Sequence, residues 1–173
     1  MSERRNIQGE TGFLLTVGRL VAPLVVLSLP VFATDLSGPA RVIDGDTLAI
    51  NGDKIRLHGI DAPERRQVCE AGGVEYRCGV TAAAWVIKRT VGNEVRCESE
   101  KRDRYKRLIA VCYVGDANLN EGIVRAGWAL AYRRYSLDYV PAEGDARLNV
   151  RGLWAGTFDA PWEWRRANTQ RRK

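Results

Sequence analysis

Residues 41–60 read Arg41-Val-Ile-Asp-Gly-Asp-Thr-Leu-Ala-Ile-Asn-Gly-Asp-Lys-Ile-Arg-Leu-His-Gly-Ile60. Two β-rich runs, 41–50 and 54–60, flank Asn51-Gly52-Asp53, a strong hairpin signal because Asn-Gly tolerates the positive φ of a tight turn. A meander therefore opens the domain. Downstream, Thr81 to Thr90 carries Ala82-Ala-Ala-Trp-Val-Ile87 before Gly92-Asn93 and predicts a helix. Glu94 to Glu98 and Leu108 to Val114 are strand candidates, and the charged Ser99 to Arg107 between them predicts an exposed loop. Asn118 to Ala126 predicts a short helix ended by Gly127, and Asp138 to Leu153 a further helical stretch. Strands, helix, strands, helices is an α+β order. Five short strands with about three helices predict an OB-type barrel, which leaves one face and its loops for an oligonucleotide.

The chain has 173 residues, 45% hydrophobic and 28% charged, which suits one compact domain with appendages. Its net charge of +6 favours polyanionic partners but does not by itself identify one. The start differs in character: Arg4, Arg5 and Arg19 precede an uncharged apolar run from Leu20 to Phe32. Val31-Phe32-Ala33 has the character of a signal-peptidase site, and the run is shorter than a spanning helix requires. Residues 1–33 are read as a signal peptide, or a membrane anchor if uncut; 34–155 as the folded domain; 156–173 as a basic Trp/Arg-rich tail. The chain is expected to be exported, periplasmic or secreted. In the tail, Trp162 or Trp164 is expected to dock on the barrel, with the last residues disordered.

Cys69, Cys78, Cys97 and Cys112 allow three pairings. Cys69–Cys78 would close a short loop and Cys97–Cys112 would join two strands flanking a turn, so this pairing is expected in an oxidising compartment. No C-x-x-C spacing occurs and His58 is the only histidine, which argues against a zinc cluster.

Two acidic pairs stand out. Asp44 and Asp46 flank Gly45, and in a strand they would share a face unless the glycine bends the backbone. Asp61 and Glu64 follow the next strand on a turn stiffened by Pro63. Ordinary turns contain such acids too, but hairpin-linked strands can unite the two pairs into a set of hard oxygen ligands suited to calcium or magnesium. Arg56, on the strand between them, needs an anionic partner, either a phosphate or a structural salt bridge to Asp44 or Asp46. Lys101-Arg-Asp-Arg-Tyr-Lys-Arg107 places five basic residues around Tyr105, suited to phosphates and a stacked base.

Together, Val42-Ile-Asp-Gly-Asp-Thr47, Arg56-Leu-His-Gly-Ile-Asp-Ala-Pro-Glu64 and Asp103-Arg-Tyr-Lys-Arg-Leu108 resemble the three signature blocks of staphylococcal-nuclease (thermonuclease) homologues. Leu119-Asn-Glu-Gly-Ile-Val-Arg-Ala-Gly127 is similar to that family's helix after the last barrel strand, so the resemblance runs from about Ala40 to Trp154. It implies a calcium-dependent nuclease that cuts DNA and/or RNA to 3′-phosphate products. Asp46 and Asp61 match its calcium-ligating carboxylates, the Ala62 carbonyl a further ligand in place of the usual threonine, and Asp44 a nearby outer acid. Arg56 and Arg107 match the phosphate-gripping arginines and Glu64 the general base. Arg104, Tyr105 and Tyr132 fall where the family contacts the nucleotide. A monomer with no protein partner is expected. Two other functions fit such a chain: a non-catalytic nucleic-acid-binding module, and an exported relative acting in exopolysaccharide biosynthesis of the succinoglycan type.

Overall fold

A computed structural model describes residues 34–170; the expected signal or anchor segment and the final Arg171-Arg-Lys173 lie outside them. The elements in chain order are β1 (Thr34–Pro39), β2 (Arg41–Val42), β3 (Thr47–Ile50), β4 (Asp53–Leu57), β5 (Ile60–Asp61), β6 (Cys69–Ala71) and β7 (Val74–Tyr76). Then come α1 (Cys78–Thr90), β8 (Glu94–Arg102), β9 (Leu108–Val114), β10 (Ala117–Asn118), α2 (Leu119–Arg125), β11 (Leu130–Ala131), α3 (Val140–Leu148), a 3-10 turn at Gly152–Ala155 and α4 (Pro161–Gln170). The main sheet runs β1-β8-β9-β4-β3-β2, with β10 added on β9. It curls far enough for Asn51 Nδ2, in the β3–β4 turn, to donate to Ser37 O on β1 at 3.1 Å. The result is a nearly closed α+β barrel of OB type, its strands cut into shorter segments than five continuous ones.

The hairpin forms as its sequence demands. Asn51 and Gly52 both adopt positive φ, 50° and 91°, the two-residue turn that matches strand twist. Strands β4 and β9 pair in parallel, with Ile55 opposite Leu108 and Leu57 opposite Ala110, which requires the crossover that α1 and β8 supply. Leu48, Ile50, Ile55, Leu57, Val86 and Ile123 are among the wholly buried side chains of the core between sheet and helices.

Three expectations change. The exposed loop at Ser99–Arg107 is shorter, because β8 continues to Arg102 past a bulge at Ser99. Ser99 is buried and its hydroxyl donates to Lys101 O and Ile109 O, holding the strand against β9 where charge alone suggested a loop. Only Asp103 to Arg107 remains as the connection. Second, the tail holds a fourth helix, α4. Third, β1 lies ahead of the first motif and covers β8, with Leu36 opposite Cys97. Both expected disulfides form, Cys69–Cys78 and Cys97–Cys112, the latter between directly opposed residues of β8 and β9.

Candidate active site

Asp44 to Asp46 do not continue a strand; they bend between β2 and β3, and the Asp46 N–H donates to Asp44 Oδ1 at 3.0 Å. Glycine is needed at the centre of that bend because a Cβ on Gly45 would lie 2.7 Å from Ala62 Cβ and 2.9 Å from Ala82 Cβ. The close approach delivers Asp46, 3% exposed, to the end of β5. There the Ala62 N–H donates to Asp46 Oδ2 at 2.9 Å, while Oδ1 accepts the Thr47 hydroxyl at 3.0 Å and pairs with Arg56 Nη1.

Arg56 is the bridge. Its Nη2 donates to Asp61 Oδ1 at 2.8 Å and lies 3.3 Å from Ile60 O, so one guanidinium spans the two acid clusters. Asp61 is fully buried on β5, which β11 covers by pairing Leu130 with Asp61. Burial, reinforced by the Asp44 charge, pushes the Asp46 pKa up to about 6 against the opposing pull of Arg56 and the Ala62 N–H.

Glu64 sits on the following turn, closed by the Gln67 N–H donating to Glu64 O at 2.7 Å. Gln67 is fully buried; its Oε1 accepts the Glu64 N–H at 3.2 Å and its Nε2 donates to Asp159 O at 2.7 Å. The Glu64 carboxylate meets a residue with no local signal to bring it here: Arg165 of α4. Arg165 Nη1 donates to Glu64 Oε1 at 2.9 Å and to Asp61 Oδ1 at 3.1 Å, and Nη2 donates to Asp61 Oδ2 at 2.6 Å. Pro161 at the first helical position, with Glu163 in the first turn, is a readable start signal for α4. No local pattern, however, carries Arg165 across 104 residues to Asp61.

Asp46, Arg56, Asp61 and Glu64 are thus joined in one bonded network with Arg165. Arg107 is held separately. It follows the positive-φ residue Lys106, and its Nε donates to Asp103 Oδ2 at 2.8 Å while its N–H donates to Asp103 Oδ1 at 3.0 Å. Burial opposes the Asp103 carboxylate, but the Arg107 and Tyr105 hydrogen bonds outweigh it and hold its pKa below the usual value. Arg56 alternates with buried Ile55 and Leu57, and Arg107 precedes buried Leu108 on the neighbouring strand, so both arginines belong to the positions that turn away from that core. Arg104 lies over the Tyr105 ring at 4.7 Å and donates to its hydroxyl at 2.7 Å, on the exposed tip of the same loop. Tyr132 leaves β11 with its N–H donating to Gly59 O at 2.8 Å, and its ring stacks on Trp162 of α4, centroids 5.5 Å apart and planes 7° from parallel.

The donor chemistry fits a hard, partly hydrated divalent cation. Each carboxylate oxygen has about two lone pairs, and one remains free on Asp46 Oδ2 and one on Asp61 Oδ2. Among the described residues no three His, Cys, Asp or Glu side chains converge into a preformed cluster, so such an ion would keep several waters. His58, whose charged neighbours are Lys101 and Asp138, stands apart from these acids.

The barrel thus carries a buried acid pair bridged by an arginine, with basic and aromatic side chains on its loops, a set of groups whose chemistry suits phosphate-bearing polyanions. The chain belongs to the staphylococcal nuclease homologue family, which it matches over residues 54–156. It is 34% identical over 143 residues to the succinoglycan biosynthesis protein ExoI of Rhizobium meliloti (strain 1021), covering 80% of this chain and 75% of that one. An uncharacterized endonuclease of Escherichia coli O157:H7 is 35% identical over 158 residues, 85% of this chain and 97% of that protein. The micrococcal nuclease of Shigella flexneri is 32% identical over 170 residues, covering 87% and 92% respectively.

Proposed function

We propose that the protein is an exported, calcium-dependent nuclease that hydrolyses phosphodiester bonds of DNA and/or RNA to 3′-phosphate products. The observation that carries this reading is Arg56 bridging Asp46 and Asp61, with Glu64 on the adjoining turn. Membership of the family and the likeness to proteins named endonuclease and micrococcal nuclease support it.

Asp46 and Asp61, with the Ala62 carbonyl, would hold the ion, and Asp44 steadies Asp46 through its backbone N–H. When bound, the ion supplies Lewis-acid stabilisation of the charge that gathers on the phosphoryl oxygens. Arg56 and Arg107 grip the non-bridging oxygens; guanidinium forks match phosphate geometry better than an ammonium does. Glu64 orients a water in line with the scissile bond and accepts its proton at a carboxylate oxygen. Arg104, Tyr105 and Tyr132 contact the nucleotide. Contact chiefly with the backbone predicts weak sequence preference and steep loss of binding with salt.

Residues 1–33 are proposed to direct export, a reading that the two disulfides support. Among the described residues no helix is long and apolar enough to cross a membrane. The test is cleavage of single-stranded DNA and RNA with calcium or with chelator, comparing Glu64→Gln and Arg107→Ala. Wild type should cut only with calcium and each variant should lose about 100-fold or more, as removal of a catalytic acid–base or oxyanion donor does; calcium-independent cutting would refute the metal assignment.

The likeness to a succinoglycan biosynthesis protein supports a second reading at the level of cellular role. A deletion strain with altered exopolysaccharide, not restored by a Glu64→Gln copy, would tie that role to the same active site.

A further inference from the structure

The C-terminal helix α4 begins at Pro161, beyond residue 156 where the family match ends, yet it reaches the centre of the site. It is fastened there at three points. Thr157 and Glu70 exchange both backbone hydrogen bonds, at 2.9 and 3.0 Å, Gln67 Nε2 donates to Asp159 O, and Trp162 stacks on Tyr132. These fastenings present Arg165 to Asp61 and Glu64.

The effect on Asp61 can be read atom by atom. Oδ1 accepts from both Arg56 and Arg165, and Oδ2 accepts from Arg165 at 2.6 Å, so three of about four lone-pair positions are already taken by guanidinium N–H groups. A cation on the remaining position would sit beside the fixed positive charge of Arg165 at a fully buried carboxylate, where solvent screens their repulsion only in part because Arg165 itself is 37% exposed. Without Arg165 the acids Asp44, Asp46, Asp61 and Glu64 would face Arg56 as the sole bonded guanidinium of this network.

We propose that Arg165 is a further residue of this site: a cation built into the chain that shares Asp61 with the bound divalent ion and sets how tightly that ion is held. The inference rests on the reading of Asp46 and Asp61 as the ligands of that ion. Its role is positioning and tuning, exerted through Asp61 and Glu64. By reciprocity, whatever Arg165 takes from the affinity of the ion, the ion takes from the docking of α4.

The test is calcium titration by calorimetry on the full chain and on Arg165→Gln, which removes the charge and leaves a shorter, neutral polar side chain. Arg165→Gln should bind calcium about tenfold more tightly, within the usual range for coupled sites, and Arg165→Lys, which keeps the charge but loses the two-pronged grip on Asp61, should fall between Arg165→Gln and wild type. Trp162→Ala removes one of the three fastenings without touching a carboxylate and should also tighten binding by loosening α4, which keeps the test alive if Arg165→Gln is unfolded by circular dichroism. In wild type, calcium should speed tryptic cleavage after Arg165 or Arg166 and change the fluorescence that is lost in Trp162→Phe. Equal or weaker calcium binding by folded Arg165→Gln, or no calcium binding by any of these proteins at millimolar concentration, would overturn the proposal. Tighter binding in a protein that cuts no nucleic acid would retain it and sink the nuclease reading; cutting by wild type with unchanged affinity in Arg165→Gln would do the reverse.

Discussion

Replacing Asn120 by alanine tests how the site is held from behind. Asn120 is wholly buried on α2; its Oδ1 accepts the Cys112 N–H at 3.1 Å, and its Nδ2 donates to His58 O at 3.0 Å and Ala110 O at 3.2 Å. The parallel pairing of β4 with β9 ends at Leu57 and Ala110, so at Cys112 β9 keeps its β8 neighbour but has no β4 residue on the other side, and the Asn120 side chain takes that place. Asn120→Ala strands the Cys112 N–H, a cost of about 2 kcal/mol, and takes a partner from His58 O, about 1 kcal/mol more. Ala110 O is spared because the His58 N–H still reaches it at 2.8 Å. The total of about 3 kcal/mol, divided by a urea dependence of roughly 2 kcal/mol per molar, is a midpoint lower by about 1.5 M. Urea unfolding followed by tryptophan fluorescence measures this directly. Asn120→Asp keeps the acceptor but sets an anion against two carbonyls, and at pH 7 it should be at least as damaging. A midpoint drop below about 0.5 M for Asn120→Ala would refute the reasoning, since it would mean water or a backbone shift satisfies Cys112.

Two further outcomes are expected. Because burial raises Asp46 from 3.8 to about 6, the folded state binds this proton more tightly than the unfolded chain does; the contribution is full below pH 3.8 and fades as pH rises through 6. The stability of Asp46→Asn relative to wild type should therefore rise as pH goes from 4 to 7, and a difference in urea midpoint that ignores pH would contradict it. A Cβ on Gly79, in the first turn of α1, would fall 1.9 Å from Glu64 O and 2.9 Å from Arg65 Cα, both backbone atoms. Gly79→Ala should cost about 1–3 kcal/mol and, by displacing the Glu64 turn, lower the turnover of nucleic acid by more than its loss of folded protein explains; a drop matching the unfolded fraction alone would count against that displacement.

The parts of the molecule that follow from local chemistry were legible in its residues. Asn51-Gly52 declares its turn, Gly127 stops α2, and Asp46, Arg56, Asp61 and Glu64 announce their grouping through two short blocks in order. What escaped reading depends on distant contacts. Ser99 holds β8 to β9 through a hydroxyl that looks like any loop serine, and Lys101-Arg102 carries the charge of a loop while pairing as a strand. β1 lies ahead of the first of those blocks, and its strand is completed only by β8 far along the chain. Arg165 is one basic residue in a basic tail, and only the folded path through Gln67 and Asp159 brings it to Asp61. Arg107 sits in a recognisable block, yet its ion pair with Asp103 rather than a bond to the other four is a matter of loop geometry.

The pairing of β1 with β8 also fixes an order of events during synthesis. Thr34 lies opposite Ser99 and Pro39 opposite Glu94, so β1 has no neighbour on its β8 side until the chain has grown through the whole of α1 and beyond. Through that interval it is an open edge with unanswered N–H and C=O groups, able to pair with any passing strand. Contacts of such long separation are slow to form, and the barrel can close only after its opening segment has waited for its partner to be made.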